Sequence, residues 1–176
     1  WLGEELSAYN NLLYDKYLFF YYNALVINYA QIDFARGLKA LDEAEKEMKS
    51  QKNSYYEFFI LWNKATLLFY QQRYNEAIRN LSRLYANDHY KKADTALKMK
   101  IAIAECIMQY EAGDSDTALK RVEQVKKQYA EQLTADDRKR ERFILKLIPE
   151  LIDCNDLSSS KKLYNTVQKF VTTPVK

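Results

Sequence analysis

Two stretches of the chain decide its fold: YYNALVINYAQIDFARGLKALDEAEK, residues Tyr21–Lys46, and LWNKATLLFYQQRYNEAIRNLSRLYA, residues Leu61–Ala86. Laid one on the other, they place Tyr22 on Trp62, Asn23 on Asn63, Tyr29 on Phe69, Phe34 on Tyr74, Gly37 on Ala77 and Leu41 on Leu81, every pair 40 residues apart. The series of small residues continues to Ala118 and Ser160, at steps of 40, 41 and 42. Within each stretch apolar residues recur three and four apart, the period of a helix buried along one side. A repeat of this length holds two helices, and such a hairpin cannot cover its own apolar stripe, so neighbours stack. The hairpins are expected at about 15–52, 53–92, 93–132 and 134–172, with 1–14 as the tail of an earlier one and 1–176 as a single helical-repeat domain, part of a longer chain.

The polar joints place individual helices at about 3–14, 16–31, 34–50, 54–71, 74–87, 94–112, 115–131, 135–153 and 157–170. Ser54 with Glu57 forms a capping-box pattern, and Thr134 with Asp137 a close relative of it. Asp33, Asp94 and Asp114 are expected to cap in the same way, each offering an oxygen to an orphan backbone amide.

Composition agrees with long helices and short joints. Three Gly and two Pro in 176 residues exclude collagen-like and loop-rich folds and are too few for the turns of a many-stranded sandwich, while 48% hydrophobic residues suffice for a core. The net charge of +3 calls for no polyanionic partner. Cys106 and Cys154 are too few for a disulfide framework and read as buried thiols. With one histidine and no CxxC a zinc site lacks ligands. The most apolar run, Tyr17–Ala30, is about 14 residues and holds Asn23 and Asn28, short of the roughly 20 a membrane span needs.

The segments YNEAIRNLSRLY (residues 74–85) and GDSDTALKRVEQV (113–125) resemble the second helix of a tetratricopeptide repeat. In that family a small residue, here Ala77 or Ala118, lets two helices approach. Large apolar residues beyond it, here Leu81 with Leu84 and Val122 with Val125, pack on the next hairpin. Gly37, Leu41 and Ala44 follow the pattern, as do Ser160, Tyr164 and Val167. The first helices depart from it, with Lys64, Ala65 and Leu68 or Glu105, Cys106 and Gln109 where the family has Leu-Gly and Tyr, and the closing proline is absent. Repeats of 40 to 42 residues also exceed the usual 34, as in long-repeat bacterial regulators and scaffolds.

The resemblance implies an all-α, right-handed α-α superhelix, a TPR-like solenoid of about four helical hairpins, whose first helices line a concave groove. Carried over by position, the groove residues are Tyr22, Asn23, Trp62, Asn63, Thr66, Tyr70, Lys100, Tyr110, Arg142 and Lys146. Trp, Tyr and Arg dominate binding hot spots, and an Asn amide can pair with both halves of a peptide unit. Phe19, Tyr29, Phe59 and Phe69 fit a core as well as a groove. The basic run Arg138, Lys139, Arg140 and Arg142 is interleaved with Asp136, Asp137 and Glu141 and reads as a solvated helix side.

Enzyme signatures are missing: there is no GxSxG, no phosphate-cradling Gly loop and no HExxH, and His89 sits a helix away from Cys106. The expectation is a protein-protein interaction or scaffolding module that binds a peptide, helix or partner domain without catalysis or cofactor, nucleic acid or membrane insertion. The alternatives are a ligand-sensing segment of a larger signalling or transcription-regulating protein and a segment that only self-associates. The lack of a disulfide framework points to the cytoplasm, although a processed exported protein has the same composition.

Overall fold

The computed structural model describes residues 11–48, 54–154 and 160–172. The fold is all-α: among these residues there are ten α-helices, one short 3-10 turn and no strand. The helices form two compact units, one up to Asp94 and one from Thr95.

The first unit contains α1 (Asn11–Ile32), α2 (Phe34–Met48), α3 (Ser54–Tyr70), α4 (Tyr74–Ala86) and the short α5 (Asp88–Lys92). Consecutive long helices pack on one another, α1 on α2, α2 on α3 and α3 on α4. A single residue joins α1 to α2: Asp33 accepts from the backbone amides of Ala35 and Arg36, both at 3.1 Å, capping α2. The core gathers Leu18, Tyr22 and Val26 from α1, Ala40, Leu41 and Ala44 from α2, and Tyr56, Phe59, Ile60 and Leu67 from α3. Gly37 marks a close approach, since a Cβ there would lie 2.8 Å from Cδ1 of Leu67 and 3.5 Å from Cβ of Tyr29.

The second unit contains α6 (Thr95–Glu111), α7 (Ser115–Gln128), α8 (Ala130–Leu133), a 3-10 turn (Asp136–Arg138), α9 (Lys139–Cys154) and α10 (Lys161–Thr172). Here α6 packs on α7, and α9 on both. Met99, Cys106, Ala118, Val122, Val125, Leu145 and Ile148 are among the residues that fill its core. Asp114 caps α7 by accepting from the Thr117 amide at 3.1 Å.

The repeat frame is visible in both units. Gly37, Ala77 and Ala118 are each the fourth residue of a second helix, followed at Leu41, Leu81 and Val122, then Ala44, Leu84 and Val125, by residues with no exposed surface. The joints α3–α4 and α6–α7 share one geometry. At the first, Gln72 adopts φ 59°, its amide donates to Phe69 O at 2.9 Å and that of Arg73 to Leu68 O at 2.9 Å. At the second, 41 positions on, Gly113 adopts φ 80°, with donations from Gly113 to Tyr110 O at 3.0 Å and from Asp114 to Gln109 O at 3.2 Å. Both are Schellman closures.

Several expected boundaries are corrected. No joint separates residues 14 and 16, where α1 runs on without Gly or Pro and the rings of Tyr14, Tyr17 and Tyr21 stack along it at 6.5 and 6.1 Å. Residues 1–10 of the expected tail, and the start of the last expected helix at 157–159, lie outside the described residues. The Thr134 hydroxyl donates to Glu131 O at 2.6 Å instead of capping a helix, and the next α-helix begins only at Lys139, after the 3-10 turn. Glu57 turns away from a capping box to accept from the Asn87 side chain at 2.8 Å. Ser160, read as the fourth small packing residue, is instead placed just before α10 and accepts from the Leu163 amide at 3.3 Å. That shifts the fourth register: Leu163 is buried and Tyr164 exposed.

Candidate functional site

On α3 the residues Tyr55, Trp62, Asn63, Thr66 and Tyr70 recur three, four and seven apart and so share one side of the helix. The other side carries Ile60, Leu61, Leu67 and Leu68, all buried. Trp62, Asn63 and Thr66 are half-buried, and Tyr55 and Tyr70 exposed. Asn63 donates from Nδ2 to Phe59 O at 2.8 Å, and Thr66 donates to Trp62 O at 3.0 Å. Both bonds lie within α3, so neither side chain serves to join helices. They fix the rotamers while leaving the Asn63 carbonyl oxygen turned to no partner among the described residues. The Tyr70 ring is held by stacking on Phe34, centroids 5.4 Å apart and planes 9° from parallel.

Tyr22 must be taken out of this set. It is 4% exposed and belongs to the core, with its hydroxyl donating to Glu47. Burial first, then that carboxylate, pushes its pKa well up. Its repeat partner Trp62 is half-buried, so equal register does not give equal surroundings. Asn23 is half-buried beside it. Next to the α3 face, Lys64 donates to Asp42 and Glu45 of α2, each at 2.6 Å. Burial lowers its pKa and the two bonds more than offset this, leaving Lys64 raised; the Lys64 hydrogen bond in turn lowers Glu45.

An aromatic cluster stands at the start of α3. Phe19 lies 5.2, 5.6 and 5.1 Å from the rings of Tyr55, Tyr56 and Phe59, and His89 of α5 meets Tyr55 and Phe58 edge-on at 4.9 and 5.2 Å. Asn87 fixes that corner. Its oxygen accepts from the His89 and Tyr90 amides at 2.9 and 3.2 Å, and its nitrogen donates to Ser54 O at 2.9 Å as well as to Glu57. It is the buried polar residue among the described core. Its signal in the sequence is Asn before Asp at a helix start and lysines at the end, which the reading of 87 as a helix end and 88–93 as a joint passed over.

The remaining expected groove residues belong to the second unit. Lys100 and Lys146 are exposed, the latter 3.7 Å from Glu150, while Tyr110 packs against the core, where burial raises its pKa. Arg142 lines an open cavity of about 500 Å³ with Lys126, Ala130, Leu133, Thr134 and Leu145. Its Nη1 donates to Ala135 O at 2.8 Å and to Leu133 O, which ties the start of α9 to the end of α8. The other arginines of the basic run are engaged too. Arg138 pairs with Glu141 and Asp137 at 3.4 and 3.5 Å, and Arg140 lies over the Phe170 ring at 5.4 Å.

Both cysteines are thiols outside any disulfide. Cys106 has no exposed surface, and burial pushes its pKa up to about 12, so it is held protonated. Among the described residues no group of three or more His, Cys, Asp or Glu is placed to hold a metal ion, and no helix is long and apolar enough to cross a membrane.

No family model, curated protein or solved structure matches this chain. The functional reading rests on the residues themselves.

Proposed function

We propose that this chain is a protein-interaction module, a TPR-like right-handed superhelix that holds a peptide or helix against the aromatic and amide side of α3 and performs no chemistry on it. The observation that carries this reading is the Trp62, Asn63, Thr66 and Tyr70 set. Trp62 and a Tyr70 ring stacked on Phe34 flank an amide whose oxygen meets no partner among the described residues, on a helix whose opposite side is sealed into the core. Such a surface desolvates large area at small rotamer cost and supplies a polar anchor for a ligand backbone.

The test is a comparative capture by the native chain and by a Trp62→Ala, Tyr70→Ala variant, with bound proteins identified by mass spectrometry. The variant is expected to keep its helicity and to lose about 1–2 kcal/mol at the half-buried Trp62 and less at the exposed Tyr70. A protein held by the native chain and lost by the variant is the expected result. Identical sets from both would overturn this reading.

A further inference from the structure

The repeat makes a second surface readable. Phe20, Ala24 and Ile27 of α1 match Ile60, Lys64 and Leu67 of α3, 40 residues on, and Ile101, Glu105 and Met108 of α6, 41 further. Ile60 and Leu67 are 4% and 1% exposed, and Ile101 and Met108 are likewise buried. Phe20 and Ile27 are 65% and 53% exposed. In α3 the cover over these positions is identified by contact: it is α2, with Gly37 against Leu67, and Asp42 and Glu45 against Lys64. Among the described residues, the outer side of α1 therefore has the pattern of the α3 docking side without its cover, and Ile27 stands where Leu67 of α3 has Gly37 opposite.

We propose that the side of α1 centred on Phe20, Ala24 and Ile27 is a docking surface for an amphipathic helix of the α2 kind, one that sets a glycine or alanine against Ile27 and uncharged side chains against Ala24. The second requirement follows from the one chemical difference between the two surfaces. Where α3 offers Lys64 to two carboxylates, α1 offers a methyl group, so a helix with acids at that level would desolvate them unpaired. The surface is distinct from the Trp62 side of α3 and does not rest on that reading.

The probe is a fluorescent peptide of residues 34–48 carrying Asp42→Ala and Glu45→Ala, made helical by a lactam between Lys39 and Glu43, which both face solvent in α2. Binding to the 176-residue chain is followed by anisotropy. Saturable binding is expected, with affinity about tenfold lower for an Ile27→Asp chain and about tenfold lower for a Gly37→Leu peptide, because a charge is buried in one and the close approach blocked in the other. Leucine is the better helix former, so weaker binding of that peptide reports fit and not helicity. The peptide carrying the original Asp42 and Glu45 is expected to bind less well than the alanine version. A Trp62→Ala chain should bind the peptide like the native one. Absence of saturable binding by a chain of native helicity would overturn the proposal. So would equal binding by Ile27→Asp, loss on Trp62→Ala alone, or a concentration-dependent dimer that Ile27→Asp abolishes, which would put a second copy on this surface.

Discussion

At matching places in the repeat, α3 carries Phe59, Ala65 and Leu67 where α6 carries Lys100, Cys106 and Met108. The consequence spreads outward from each. Phe59 joins Phe19 and Tyr56 in a ring cluster, whereas Lys100 is exposed and the core of the second unit is mainly aliphatic, with Cys106 and Tyr129 among its buried members. The side matching the candidate site differs as well: Trp62, Asn63, Thr66 and Tyr70 of α3 correspond to Ile103, Ala104, Ile107 and Glu111 of α6, of which Ile103 is buried in the core. What does not differ is the second helix, whose small residue and two following apolar residues are sealed in both units. The second helices thus share one packing pattern, and the first helices carry the residues that distinguish one hairpin from another.

The thiol is where the difference is widest. At pH 8 a soluble disulfide reagent is expected to modify the partly exposed Cys154 about a hundredfold or more faster than Cys106, whose thiolate forms only through opening of the unit. The same burial has a stability consequence with a definite sign. The Cys106 pKa is raised from 9.0 to about 12 in the folded chain, so between those values the unfolded chain loses this proton first. The stabilising contribution is complete below pH 9 and declines by about 1.4 kcal/mol per pH unit up to pH 12. Denaturant titrations of native and Cys106→Ala chains should therefore converge as pH rises through that window. Parallel curves would mean that the sulfur is wet. The raised pKa of Tyr22 acts in the same direction in the first unit, and Tyr22→Phe should remove that part.

The shared frame is tested by overfilling it. Ala77→Leu and Ala118→Leu each insert a branched side chain where there is no exposed surface, and each should cost about 1–3 kcal/mol. Ser160→Leu, which removes only a cap at the start of α10, should cost about 1 kcal/mol. An Ala77→Leu chain with an unchanged midpoint would remove the repeat frame from the first unit.

These contrasts also show why some of the structure was legible in the sequence and some was not. Gly37, Ala77 and Ala118 could be read because close helix approach admits few residue types, so the requirement leaves a mark at fixed spacing. Ser160 misled because serine suits both a tight contact and a helix cap, and only the chain before α10 decides between them. The break expected near residue 15 was inferred from polarity, yet α1 runs through Asp15 and Lys16 without Gly or Pro to interrupt it. On the candidate site, register alone equated Tyr22 with Trp62, but exposure depends on what the neighbouring helix brings. Tyr22 is buried in the core shared by α1, α2 and α3, and Glu47 satisfies its hydroxyl. The intrahelical bonds of Asn63 and Thr66 follow from the i−4 carbonyl being in reach, whereas Asn87 bridging α5 to the start of α3 depends on a tertiary contact no local pattern encodes.

The joints give the smallest and most symmetrical contrast. Gln72 and Gly113 close their helices with the same pair of backbone hydrogen bonds and the same left-handed backbone, at φ 59° and 80°. A side chain with a Cβ is disfavoured there by about 1–2 kcal/mol, and glycine is not. Apart from the adjoining residues of the chain, no heavy atom lies within 4 Å of where a Cβ on Gly113 would stand, so the penalty at that site is conformational. Gln72→Gly should accordingly raise unfolding stability by about 1 kcal/mol and Gly113→Gln lower it by about the same, while a chain carrying both should lie within about 0.5 kcal/mol of the native one, since distant sites add. Thermal and denaturant unfolding of the three variants would measure this directly. If Gln72→Gly destabilises instead, the glutamine side chain contributes more at its joint than its backbone conformation costs, and the two closures are alike in geometry but not in energetics.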